Sequence, residues 1–105
     1  MRRRLLLTSE STAQLQELAD NPAQAGLYKQ VRKTLGLLEL DPRHPGLKTH
    51  QYHSRRGKKG EPIWEAYVQN NTSGAYRLFF HYGPDEVIEE KRIPTITVVA
   101  ITPHP

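Results

Sequence analysis

A chain of 105 residues with 15 Lys and Arg against 11 Asp and Glu, a net charge of +4, is expected to form one domain (1–105) with a modest two-layer core. The absence of cysteine excludes a disulfide frame, a thiolate nucleophile and a thiolate metal site. No apolar run approaches the roughly 18 residues that span a bilayer, and Leu5-Leu6-Leu7 behind Arg2-Arg3-Arg4 is too short for a secretion signal, so a cytoplasmic protein without a membrane partner is expected.

Residues 3–7 read as a first strand. Thr8 or Ser9 can cap a helix that runs to about residue 19 with Leu15 and Leu18 inward. Asn21 and Pro22 suit the N-cap and first turn of a second helix, in which Leu27, Val31, Thr34, Leu35 and Leu38 form one stripe before Asp41-Pro42 ends it. The pair reads as a helical hairpin covering one face of a sheet. Pro42, Pro45 and Gly46 make a turn, with His44 inert between the prolines, and 47–53 follow as a strand. Alternation there sets Lys48, His50 and Tyr52 on one face. It turns His50 and His53 opposite ways, which argues against a metal pair. Arg55, Arg56, Lys58 and Lys59 then crowd one loop, either a solvated hairpin tip or a contact for a polyanion or an acidic partner.

Residues 63–82 organise the chain. They read as two strands joined by a polar turn at 70–74. Trp64, Ala66 and Val68, with Tyr76, Leu78, Phe80 and Tyr82, form the apolar sets that belong under the helices, Trp64 and Phe80 deepest. Glu65, Tyr67, Arg77 and His81 then share an open face, a possible active surface. The stretch 83–94, with Asp85, Glu86, Glu89 and Glu90, reads as a polar, mobile connection to a β-branched last strand at 95–101.

The order PGLKTHQY, WEAYV, AYRLFFHYG and a final strand leading to His104 resembles the RelE/ParE superfamily of bacterial toxins, specifically its RelE-like branch of mRNA interferases. The resemblance covers nearly the whole chain, through order and spacing rather than any one motif. It implies an α+β two-layer fold: an N-terminal strand, a helical hairpin, then a twisted, mainly antiparallel sheet with a concave face. It also implies the toxin of a type II toxin–antitoxin system, partnered by a cognate antitoxin and acting on mRNA at the ribosome. By the same resemblance Arg77 matches the strand arginine that contacts the scissile phosphate, and His50 and His104 match histidines of the family. Glu65 lies where some members place a carboxylate, and His81 follows the arginine strand less regularly. His104 departs from the pattern as the penultimate residue.

RNA cleavage without metal or other cofactor needs a base for the 2′-hydroxyl, neutralisation of the phosphorane, and an acid for the 5′-oxygen. Imidazoles and carboxylates can trade protons near neutrality, and a guanidinium fits the equatorial oxygens. The expected roles are Arg77 on the phosphate with Lys48 adding positive charge, His50 or Glu65 as base, and His104 or His81 as acid, leaving a 2′,3′-cyclic phosphate. Tyr67 and Phe79 are expected to stack on bases, with Arg55, Arg56, Lys58 and Lys59 as further RNA contacts. On an open face, losing Arg77 or His50 should cost turnover and not stability, whereas Trp64→Ala should cost about 3–5 kcal/mol. The alternatives are a ParE-like toxin that binds DNA gyrase, a silent binding module of the same fold, and, for Arg77, a plain ion pair with Glu65.

Overall fold

The described residues, 3–69 and 74–104 of a computed structural model, fold as two helices on one face of a five-stranded sheet, with a separate two-stranded ribbon. Arg2 and the turn residues 70–73 lie outside them. Strand β1 (Arg4–Leu7) leads through Thr8 into α1 (Ser9–Asp20), Thr8 capping it by accepting from Ser11 N at 3.2 Å. Asn21 caps a short 3-10 turn rather than the second helix, accepting from Ala23 N at 3.0 Å. Helix α2 (Ala25–Leu40) then buries the stripe Val31, Thr34, Leu35 and Leu38.

The sheet is completed by β2 (His50–Arg56), β3 (Pro62–Tyr67), β4 (Tyr76–Tyr82) and β7 (Thr95–Pro103), in the order β1-β7-β4-β3-β2. Only β1 against β7 is parallel among these pairs. This is the α+β, mainly antiparallel arrangement expected. The helix side of the sheet carries the main core, where Ala66, Leu78, Phe80, Ile96, Val98 and Ile101 meet Leu18, Val31, Leu35 and Leu38. Phe80 sits at its centre, fully buried, while Trp64 is only half-buried against it and packs on Tyr82. Phe80→Ala, rather than Trp64→Ala, is therefore the substitution that opens the larger cavity.

The expected strand at 47–53 is displaced. Pro45–Leu47 forms a 3-10 turn that buries Leu47, and His44, expected to be inert, holds it by accepting from Gly46 N at 3.0 Å. Lys48 then takes a left-handed conformation (φ 49°), so extended structure starts only at His50. It continues to Arg56, which puts Arg55 and Arg56 in the strand rather than in the loop.

Strand β7 carries one extra residue. Phe79 pairs with Ala100 but Phe80 pairs with Val98, which leaves Val99 as a bulge. Strict alternation from the core residues Ile96 and Val98 would send residue 104 under the helices; the bulge resets the count and turns Ala100, Thr102 and His104 to the opposite face. Helix α1 splints this irregularity. Val98 O accepts from Thr8 N at 3.1 Å and from the buried Ser11 Oγ at 2.8 Å, and Val99 O accepts from Thr8 Oγ1 at 3.2 Å. Ile101 N donates to Gln14 Oε1 at 2.7 Å. Backbone groups of β7 beyond the end of β1 at Leu7 thus find partners in the TSESTAQ stretch.

The connection expected to be mobile is structured as the ribbon, β5 (Glu86–Ile88) against β6 (Lys91–Ile93). Its turn residues, Glu89 and Glu90, both have positive φ, 49° and 67°. A two-residue hairpin turn with both φ positive normally uses Asn-Gly, because a Cβ crowds the backbone there. Glu89→Asn with Glu90→Gly is expected to stabilise the ribbon by about 1 kcal/mol, read as slower amide exchange across β5 and β6. Unchanged exchange would count against the turn geometry.

Candidate active site

The face of the sheet away from the helices is curled. Tyr52 of β2 reaches over β3 to meet Phe79 of β4 edge-on at 4.9 Å between ring centroids, and His104, just beyond β7, at 6.5 Å. A small apolar cluster, Ile63, Phe79, Val99 and Ala100 with Tyr52 on it, floors this hollow. Curling has a consequence that parity alone does not show. Glu65, Arg77, Phe79 and His81 share the non-helical face as expected but are not open, with exposures of 1, 8, 3 and 6%. Phe79 is therefore floor and not a base-stacking platform.

Glu65 is the centre of the cluster. Its Oε1 lies 2.7 Å from His50 Nε2 and its Oε2 2.5 Å from His104 Nδ1, with Arg77 Nε at 3.6 Å from the same Oε2. Cross-strand pairing sets this up: His50 is directly opposite Glu65 on β2, and Arg77 is opposite Tyr67, one same-face step along β3. The bulge delivers His104, whose backbone N donates to Ala75 O at 2.8 Å, so its place at the penultimate position does not leave it frayed. A fully buried carboxylate with both oxygens engaged is badly placed to take a proton from a substrate. Glu65 orients its neighbours instead.

The two imidazoles differ. His50 Nδ1 lies 3.0 Å from Lys48 O, a carbonyl that can only accept, while its Nε2 faces a carboxylate oxygen. Against an ionised Glu65, both contacts are hydrogen bonds only if both nitrogens carry hydrogen. The left-handed turn at Lys48 is what aims that carbonyl. His104 donates from Nδ1 to Glu65, and its Nε2 makes no hydrogen bond among the described residues. Both rings are half exposed, at 48% of the side chain.

Arg77 is held from behind. Its Nη1 donates to Gln69 O at 2.5 Å and to Tyr76 O at 3.1 Å, and its guanidinium lies 3.7 Å from the Tyr67 ring centroid. Its buried Nε has no hydrogen-bond partner among the described residues. Tyr67 also meets His50 edge-on at 5.7 Å and Lys48 Nζ at 5.8 Å, so its ring is occupied by cations rather than free for a base. The ion pair of Arg77 with Glu65 and its burial overturn the expectation that Arg77→Ala would leave stability untouched. Among the described residues no group of three or more His, Cys, Asp or Glu side chains is arranged to hold a metal ion.

His81 does not join the cluster. It lies two residues beyond Phe79, itself the partner of Glu65, so about 7 Å further along the strand. Its Nε2 is 3.8 Å from Glu61 Oε2, in a separate hollow of about 480 Å³ lined also by Arg55, Arg56, Lys58 and Lys59. Arg55 is committed there to Glu10, through contacts of 3.0 and 3.3 Å. Glu61 accepts from Lys59 N at 2.9 Å, and the backbone N–H groups of Glu61 itself and of Lys59 hold its carboxyl below the usual carboxylate range. A carboxyl depressed on folding stabilises the fold fully above its ordinary value of 4.5 and loses that contribution as pH falls through the lower folded value. Acidification is therefore expected to loosen the 57–61 turn, seen as faster amide exchange at Lys59; Glu61→Gln should abolish that pH dependence.

Among the described residues no helix is long and apolar enough to cross a membrane. No family model matches the chain, and no curated protein sequence matches it either. Solved structures do. A YoeB/ParE toxin from Agrobacterium tumefaciens is similar over 97% of this chain and 99% of its own, with TM-score 0.65 at 11% identity. A YoeB dimer from Staphylococcus aureus is similar over the full length of both chains, with TM-score 0.59 at 10% identity. With its helical pair, curled sheet and end-to-end correspondence to both, the chain has the fold of these YoeB/ParE toxins.

Proposed function

We propose that this chain is the toxin of a type II toxin–antitoxin pair and that it cleaves mRNA at the ribosome without a metal. The observation that carries the reading is the buried Glu65 with an imidazole on each oxygen, one of them, His104, with an Nε2 that makes no hydrogen bond among the described residues. In this scheme His104 Nε2 takes the 2′-hydroxyl proton as O2′ bonds to phosphorus. The P–O5′ bond breaks, and the leaving oxygen takes a proton from His50 Nδ1, which leaves Lys48 O to give it while Nε2–H stays on Glu65. Arg77 and His50 at Glu65, with Lys48 against the neighbouring Tyr67 ring, give the site an excess of positive charge, which favours the phosphorane. A 2′,3′-cyclic phosphate results. Arg56, Lys58 and Lys59, removed from the cluster, would serve as contacts to ribosomal RNA, and the antitoxin would block one of these surfaces.

Primer extension on translated mRNA tests the scheme. The wild-type protein should generate discrete cuts bearing 2′,3′-cyclic ends that persist in excess chelator. Gyrase-dependent DNA breakage with intact mRNA would instead favour a gyrase-directed toxin, and neither outcome would leave a binding module.

A further inference from the structure

We infer that a small pocket beside His104 receives one nucleobase flanking the scissile phosphate, and so sets which sequence is cut; this rests on the nuclease reading above. The pocket, of about 290 Å³, is lined by Tyr52, Ser54 and Arg55 of β2, Phe79 of β4, and Thr102 and Pro103 of β7. Its surfaces choose the ligand. Phe79 forms the floor, and Tyr52 and Pro103 are flat apolar walls. The one cation, Arg55, is already tied to Glu10, so nothing there invites a phosphate. Ser54 and Thr102 contribute hydroxyls that make no side-chain hydrogen bond among the described residues, leaving both to a ligand. Flat, uncharged walls with two free hydroxyls fit a heterocyclic base better than a ribose or an anion.

Position agrees with chemistry. Tyr52 touches Phe79 on one side and His104 on the other, at centroid distances of 4.9 and 6.5 Å, so a base against Tyr52 lies within one nucleotide of the reacting nitrogen. The aromatics expected to stack on bases are both engaged, Phe79 by burial and Tyr67 by Arg77. Tyr52 is the aromatic next to His104 that remains partly exposed.

The test maps cut sites on ribosomes programmed with a randomised short mRNA, for the wild type, Tyr52→Ala and Thr102→Val. The wild type should prefer one base identity at a fixed position beside the cut. Tyr52→Ala should flatten that preference and raise KM about ten-fold or more, with kcat less affected. An abasic nucleotide at that position should impose the same loss on the wild type and none on Tyr52→Ala. Thr102→Val keeps the volume and the fold, and should alter the preference at the same position only. Cleavage by the wild type with preference and KM unchanged in both variants would overturn the base pocket and leave the nuclease reading standing. Absence of cleavage by the wild type would overturn both.

Discussion

His104→Ala is expected to lower the rate of mRNA cleavage about 10²- to 10⁴-fold while shifting the melting temperature by no more than a few degrees. Both halves follow from geometry. The ring is half exposed and lines no part of the main core, so its removal leaves little void. Its Nε2 is nonetheless the imidazole nitrogen in the cluster with no hydrogen bond among the described residues. His50 cannot replace it as a base without giving up a contact to Glu65 or to Lys48 O. Cleavage by His104→Ala within ten-fold of wild type would transfer the base to another group and end the scheme.

Glu65→Ala is expected to be the most damaging substitution in the site for stability, costing about 3–5 kcal/mol. The carboxylate is 1% exposed and faces His50, His104 and Arg77. Deleting it leaves the nine-tenths-buried Arg77 without its counter-charge. Glu65→Gln separates the structural part from the chemical part. The amide keeps the volume, but it turns a donor toward one of two N–H groups and no longer fixes either imidazole. Folding should largely survive, while kcat should fall on the order of 10²-fold or more with little change in KM, because the carboxylate is not in contact with solvent. Urea denaturation alongside steady-state cleavage distinguishes the two variants. A Glu65→Ala protein as stable as wild type would mean that the buried charges are not coupled.

Much of this arrangement was legible in the sequence, and the rest was hidden for identifiable reasons. Alternation in WEAYVQ and AYRLFFHY correctly set Glu65, Tyr67, Arg77, Phe79 and His81 on the face away from the helices. Parity says which face a side chain takes and nothing about whether that face is covered. The curl that carries Tyr52 over to Phe79 comes from the whole sheet, so the burial of Glu65 and Arg77 could not be read locally. Parity is also blind to distance along a strand, so it groups His81 with residues that it does not reach. The ribbon carries no sequence signal because Glu89-Glu90 occupies a turn whose usual signal is Asn-Gly. The aim of His104 was hidden by the unbroken run Val98-Val99-Ala100-Ile101, in which no period of two survives.

That run has a consequence for length variation in the gene. Losing the codon for Val99 would merely straighten β7: every neighbour would keep its side, and the proton-transfer ring would stay over the hollow. Losing one codon between Ile101 and His104 would rotate the imidazole to the helix side and leave the hydrophobic layer intact. Two deletions of equal size, a few positions apart, should therefore yield one protein with the proposed cleavage intact and one that folds without it.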